Sequence, residues 1–160
     1  MNILIAYAGK TGTTKTCAHM LADKLNRATV VDLNKENINP EKFEIIVVGS
    51  SVRMGMIQKS LQKWLKENWE VLKQRKLACF ICNGFVEQEK QILAGNFSQE
   101  FMDHAFYVRS FGGELDVNKL KGFDKFVAKN VMRSAQGKAM GTPKILEDRI
   151  AELANEILGL

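Results

Sequence analysis

The first sixteen residues place a short apolar run directly before a loop rich in glycine and threonine. Residues 3–6, Ile-Leu-Ile-Ala, are continuously apolar, which is typical of a strand buried on both faces of a parallel sheet. The next loop reads Gly9-Lys10-Thr11-Gly12-Thr13-Thr14, and helical periodicity begins soon afterwards. Glycines let backbone amides approach an anion, hydroxyls can donate to it, and the positive end of a helix adds to the attraction. The stretch therefore predicts a strand that ends in a phosphate-binding loop.

The spacing of the glycines excludes two common phosphate loops. The nucleoside triphosphatase pattern G-x-x-x-x-G-K-[ST] fails at Thr14 when it is counted to Lys15, and at Leu4 when it is counted back from Lys10. The dinucleotide pattern G-x-G-x-x-G fails because Thr11 stands where the second glycine is needed. The remaining alternatives are a hydroxyl-rich loop for a terminal monophosphate and an ordinary turn between a strand and a helix.

Apolar strands alternate with helical patterns along the rest of the chain. We predict further strands over residues 29–33, 45–49, 77–82 and 105–111, and a final helix with Thr142 as its N-cap and Pro143 at its first helical position. One helical segment is expected to extend through Met102. This alternation predicts a three-layer α/β/α sandwich around a five-stranded parallel sheet of order 2-1-3-4-5. With 160 residues, 46% of them hydrophobic, the chain is expected to form one domain over residues 1–160.

Three loops are expected to meet at one edge of this sheet. Ligands of doubly wound sheets bind beyond the carboxyl ends of the strands, at the point where the strand order reverses. The first loop, residues 50–55 and residues 83–86 each follow a predicted strand. The sequence thus predicts a single ligand site built from these loops.

The first loop resembles that of the flavodoxin family, which reads [ST]-x-T-G-x-T and holds the phosphate of FMN. Thr11, Gly12 and Thr14 match this pattern, whereas Gly9 departs from it and removes a hydroxyl; Lys10 offers a positive charge instead. The resemblance covers nearly the whole chain and implies the flavodoxin-like fold, FMN as the cofactor and a redox function. It also implies that the loops after the third and fourth strands enclose the flavin ring.

The residues expected to bind FMN come from all three loops. Ser50 and Ser51 could bond the ribityl or pyrimidine groups, and Arg53, Met54 and Phe85 are available to cover the ring. Tryptophan and tyrosine are absent from the second and third loops, which predicts a more open flavin face. A core position for Phe85 and a solvated position for Arg53 are the alternatives. The full predicted set is Gly9, Lys10, Thr11, Gly12, Thr13, Thr14, Ser50, Ser51, Val52, Arg53, Met54, Gly55, Asn83, Gly84 and Phe85.

A weaker resemblance connects the chain to menaquinone-dependent protoporphyrinogen oxidases of flavodoxin type. It depends on residues 49–55, although Met54 replaces an aromatic residue, and on a basic segment after the fifth strand. A redox partner protein, a quinone and a porphyrinogen therefore remain open as partners, as does peripheral contact with an anionic membrane surface. The segment could also be an ordinary amphipathic helix. Its basic residues are Lys119, Lys121, Lys125, Lys129, Arg133 and Lys138, and they alternate with Leu120, Phe123, Phe126, Val127 and Val131.

The remaining composition argues against several other classes of protein. Three cysteines cannot pair completely, and Cys79 and Cys82 lie on a predicted buried strand, where residues three apart point to opposite faces; we expect core thiols. His19 and His104 are isolated, so no metal site is expected. The net charge of +5 fits a solvated basic face, and we expect no nucleic-acid partner. With no signal-peptide pattern, a cytoplasmic protein is expected.

Two functional hypotheses follow from the sequence. The first is an FMN-dependent oxidoreductase or electron carrier in which the flavin performs the redox step. Positive charge from Lys10 or Arg53 would then favour reduction of the flavin. The second is a non-catalytic phosphate-binding or interaction domain on the same fold. Whether the protein is an enzyme is left open.

Overall fold

The computed structural model describes residues 1–113 and 143–160. The basic segment, residues 119–138, and the predicted N-cap Thr142 lie outside the described residues. In the described part the strands are β1 (Ile3–Ala8), β2 (Thr29–Asp32), β3 (Ile45–Arg53), β4 (Met56–Ile57), β5 (Lys76–Cys82) and β6 (Tyr107–Ser110). The helices are α1 (Thr13–Leu25), α2 (Lys59–Leu72), α3 (Glu89–Asn96), α4 (Gln99–His104) and α5 (Glu147–Leu158).

The strands form a parallel sheet of order β2-β1-β3-β5-β6, with β4 paired antiparallel to the end of β3. Apart from β4, this is the predicted order 2-1-3-4-5, so the predicted α/β sandwich is confirmed. The short strand β4 is an addition to it. Residues 50–53, predicted as loop, extend β3 and pair with β4 because a tight turn at Met54 and Gly55 reverses the chain.

The sheet separates two apolar cores, because successive side chains of a strand point to opposite faces. Along β1, Ile3, Ile5 and Tyr7 join the core under α1 and α5. Leu4 and Ala6 join the core on the other face, together with residues of α2, α3 and α4. All six residues of β1 are buried, as the continuous apolar run predicts.

The cysteines occupy the interior, as predicted. Cys79 and Cys82 lie in different cores, on opposite faces of the sheet, and Cys17 is buried beside Cys82. Burial raises the pKa of Cys79, and the adjacent Cys17 thiol together with burial raises the pKa of Cys82 well above its ordinary value. These thiols are therefore held in their protonated form.

Two of the predicted helices have different boundaries in the structure. The segment through Met102 is two helices, because the Ser98 hydroxyl accepts a hydrogen bond from Phe101 N (3.1 Å) and caps a new helix, α4. The last helix begins at Glu147, so the predicted role of Pro143 as its first residue is wrong. Residues 144–146 are instead held in an extended segment by the bonds of Gly113 N to Lys144 O (3.0 Å) and Leu146 N to Phe111 O (2.8 Å).

Candidate functional site

The structure brings the carboxyl ends of three strands side by side. In the sheet register Ala8 lies opposite Ser50, and Ser50 in turn lies opposite Ile81. Three segments therefore start from adjacent positions: the phosphate loop (residues 9–14), the hairpin (residues 50–57) and the third loop (residues 83–85). All fifteen residues of the predicted set belong to these segments, at the reversal point where doubly wound sheets bind ligands.

The phosphate loop leads into an open helix N-terminus. Gly12 adopts φ 98°, a left-handed conformation that favours glycine, and α1 begins at the next residue. No side chain in the described part of the chain caps the helix, and its first turn carries no acidic residue. The first backbone N–H groups of a helix lack partners within the helix and carry its positive dipole end. The end of α1 in this loop is thus suited to an anion.

Thr14 fills the inside of the phosphate loop. It is 1% exposed, and within the described part of the chain its hydroxyl oxygen is buried without an ordinary hydrogen-bond partner. The Cys82 thiol lies beside the Thr14 hydroxyl, and this contact lowers the pKa of Cys82 against the larger effects that raise it. A thiol is only a weak hydrogen-bond partner for a hydroxyl. Thr14 also explains the departure at Gly9, since a Cβ at residue 9 would lie 3.0 Å from the Thr14 Cβ.

Ser51 provides a second buried hydroxyl at the same sheet edge. Its Oγ atom has no hydrogen-bond partner in the part of the chain that the structure describes. The Ser50 hydroxyl, in contrast, is engaged within the protein: it donates to Ser51 O (2.8 Å) and accepts from Gln58 N (2.9 Å). Buried hydroxyls without partners are uncommon and call for a ligand or water. Thr14 and Ser51 thus fit a polar ligand that extends from the phosphate loop to the hairpin.

The hairpin has an exposed apolar tip. Met54 at φ 53° and Gly55 at φ 75° form the two-residue turn, and Met54 and Met56 are 62% and 50% exposed. Asn96 of α3 fixes this turn: its Nδ2 donates to Gly55 O (2.8 Å) and its Oδ1 accepts from Ile57 N (3.0 Å). Arg53 is exposed beside the turn, and Val52 is half-buried. Sequence reasoning missed Asn96, because its partners are about forty residues away.

The third loop is anchored by a buried polar network. Asn83 Nδ2 donates to Phe85 O, and Asn83 Oδ1 accepts from the hydroxyl of Ser110, which is fully buried. The Glu89 carboxylate accepts from Ser110 N and from Arg149 Nη1, and Arg149 also donates to Ser110 O (2.9 Å). Asn83 therefore has a defined structural role, whereas Gly84 and Phe85 are half-buried at the site. The sequence contains no local pattern that identifies Ser110, Glu89 or Arg149.

The charged side chains of the three segments are Lys10 and Arg53. Residues 9–14, 50–55 and 83–85 contain no carboxylate, imidazole, thiol or phenol. The described residues also hold no group of three or more metal-ligating side chains.

The strand order defines a doubly wound α/β protein, with the three segments at the point where the order reverses. A family model described as "Flavodoxin domain" matches residues 4–141. The chain belongs to the flavodoxin-domain family, and FMN is its cofactor. No curated protein is significantly similar to it in sequence. In the described residues no helix is long and apolar enough to cross a membrane.

Solved structures share the fold at low sequence identity. A flavodoxin from the domain Archaea superposes with a TM-score of 0.55 at 16% identity, covering 88% of this chain and 100% of its own. Flavodoxin 1 from Bacillus cereus superposes with a TM-score of 0.52 at 11% identity, and the match covers 81% of this chain and 93% of that one. The flavodiiron core of Flv1 from Synechocystis superposes with a TM-score of 0.55 at 18% identity. This match covers 87% of this chain and 36% of that larger protein.

The narrower resemblance to menaquinone-dependent protoporphyrinogen oxidases receives no support from these matches. Its basic segment lies outside the described residues, so the predicted docking of a partner there stays a prediction.

Proposed function

We propose that this protein is an electron carrier that binds FMN through the phosphate loop and exchanges electrons with a redox partner protein. The observation that carries the proposal is the pair of buried hydroxyls of Thr14, at the start of α1, and Ser51, in β3, which have no ordinary hydrogen-bond partner among the described residues. The uncapped N-terminus of α1 lies in the same loop as Thr14. Backbone N–H groups, the Thr11 and Thr14 hydroxyls and Lys10 would hold the phosphate. Ser51 would bond the polar part of the cofactor near the hairpin.

FMN, when bound, supplies the redox chemistry, and the protein supplies binding and exclusion of water from one side of the cofactor. The exposed tip formed by Met54 and Met56 would offer a protein partner an apolar contact beside the site. A quinone, a porphyrinogen, membrane contact and a cytoplasmic location stay predictions from the sequence.

Electron exchange of the FMN-loaded protein tests this proposal. The protein is reconstituted with FMN, reduced chemically without oxygen, and mixed with a protein acceptor such as cytochrome c, or with a soluble quinone. Stopped-flow absorbance should show rapid reoxidation by the protein acceptor. Faster reoxidation by the quinone would contradict the carrier role, and binding of inorganic phosphate without FMN would indicate the non-catalytic alternative.

A further inference from the structure

The side chain of Asn34 joins the phosphate loop to the first turn of α2. Its Nδ2 donates to Gly9 O (2.8 Å), and its Oδ1 accepts from the Ser60 hydroxyl (2.6 Å). Asn34 is 25 residues from Gly9 and 26 from Ser60, so these two bonds connect three separate parts of the fold. We propose that Asn34 is a positioning residue that holds the phosphate loop in its anion-binding form. The inference rests on the proposed FMN site and adds a residue that the loop motif does not contain.

The orientation of the Asn34 amide is fixed by its partners. The Gly9 carbonyl only accepts hydrogen bonds, so it must face the NH₂ group of the amide. The amide oxygen then faces Ser60, whose hydroxyl donates to it. The backbone of Asn34 is also held, since its N–H donates to Asp32 Oδ1 (2.9 Å) at the end of β2. The side chain thus approaches the loop from a rigid base.

The bond to Gly9 determines which way one peptide group of the loop faces. No described peptide bond is cis, and in a trans peptide the C=O and the following N–H point in opposite directions. With the Gly9 carbonyl turned to Asn34, the N–H of Lys10 is directed away from Asn34. Had this peptide rotated, a carbonyl oxygen would take the place of an N–H, and a phosphate would be repelled rather than bound.

Gly9 makes such support necessary. Glycine rotates more freely than any other residue, and no side chain at residue 9 restricts this peptide. The Thr14 side chain leaves little room for one, since a Cβ at residue 9 would be 3.0 Å from the Thr14 Cβ. Asn34 supplies from outside the loop the restraint that the first residue of the loop does not supply itself.

The test compares the affinities of the apo-protein for FMN and for riboflavin, which lacks the phosphate. Asn34→Ala and Ser60→Ala are the main variants. Asn37→Ala is the matched control, because Asn37 is an exposed asparagine of the same connection whose Oδ1 accepts a hydrogen bond from the neighbouring Ile38 N (2.9 Å). Asn34→Asp is a third variant: it keeps an acceptor for Ser60 but places a carboxylate oxygen against the Gly9 carbonyl. Thermal denaturation of each apo-protein establishes that the variants are folded.

We expect Asn34→Ala to raise the Kd for FMN about 3- to 10-fold, the range for one neutral hydrogen bond, with less than about a 2-fold change for riboflavin. Asn34→Asp should bind FMN still more weakly than Asn34→Ala. Ser60→Ala should lose less FMN affinity than Asn34→Ala and again leave riboflavin affinity nearly unchanged. Asn37→Ala should bind both flavins as the parent does. Equal effects of Asn34→Ala on FMN and riboflavin, or an effect no larger than that of Asn37→Ala, would overturn the positioning role. If the parent binds FMN and riboflavin equally, the phosphate site itself is wrong, and the inference is wrong with it.

Discussion

Replacement of Thr14 by valine tests whether the Thr14 hydroxyl serves ligand binding or the stability of the fold. Valine has nearly the shape of threonine and lacks the hydroxyl, so the change removes only the buried oxygen that has no ordinary partner in the described residues. An unpaired buried hydroxyl costs about 1–3 kcal/mol. We therefore expect Thr14→Val to stabilise the apo-protein by up to this amount, which corresponds to a rise of about 2–12 °C in Tm for a chain of this size.

The same substitution should weaken FMN binding. A hydrogen bond to a charged phosphate contributes about 1.5–3 kcal/mol, so its loss should raise the Kd for FMN about 10- to 100-fold. A hydroxyl that serves the ligand should therefore give a variant with higher apo-protein stability and lower FMN affinity, whereas loss of a structural hydroxyl should lower the stability. Differential scanning calorimetry of the apo-protein and isothermal titration with FMN provide the two measurements.

Thr16→Val is the matched control for Thr14→Val. Thr16 lies on the same helix, but its exposed hydroxyl donates to Gly12 O (3.0 Å), so it already has a partner. We expect this variant to lose a little apo-stability and to keep most of its FMN affinity. A Thr14→Val protein with lower Tm and unchanged FMN affinity would refute the assignment of Thr14 to the phosphate site.

Three further predictions concern the surroundings of the site. Arg149→Gln should lower the free energy of unfolding by about 1–3 kcal/mol, because it leaves the partly buried Glu89 without its cation. Arg109→Gln breaks an exposed pair with Glu152 and should lower it by less than about 1 kcal/mol. Urea unfolding measures both changes. Met54→Asn should stabilise the protein by about 0.5–1 kcal/mol in the same assay, since asparagine tolerates a positive φ better than methionine. Because the pKa of Cys82 is raised in the folded protein, its contribution to stability is complete below the ordinary thiol pKa and decreases as pH rises above it. The free energy of unfolding should therefore fall less between pH 7 and pH 9.5 in Cys82→Ala than in the parent.

The parallel sheet could be predicted because its strands are buried on both faces. Strands such as Ile3–Ala8 must be almost continuously apolar, and this pattern is visible without any tertiary information. The turn from β1 into α1 was equally visible, because Gly12 at positive φ is a local signal for the start of the helix. Each of these features is encoded within a few residues.

Features that depend on distant partners could not be predicted in this way. The extra strand β4 forms a local hairpin, and it was missed for a different reason: methionine occupies the first position of the turn, where asparagine or glycine would have indicated a hairpin. The start of α5 was misplaced because Gly113 and Phe111, more than thirty residues earlier, bind residues 144–146 as an extended segment. Asn34 has no motif, since its importance depends on the positions of Gly9 and Ser60.

The central claim is that the chain binds FMN by its phosphate, and parallel titrations of the apo-protein with FMN and riboflavin test it most directly. Flavin fluorescence or calorimetry gives both dissociation constants under one set of conditions. Several charge-assisted hydrogen bonds of about 1.5–3 kcal/mol each predict that FMN binds at least about 100-fold more tightly than riboflavin. Equal affinities for the two flavins, or no binding of FMN, would contradict it.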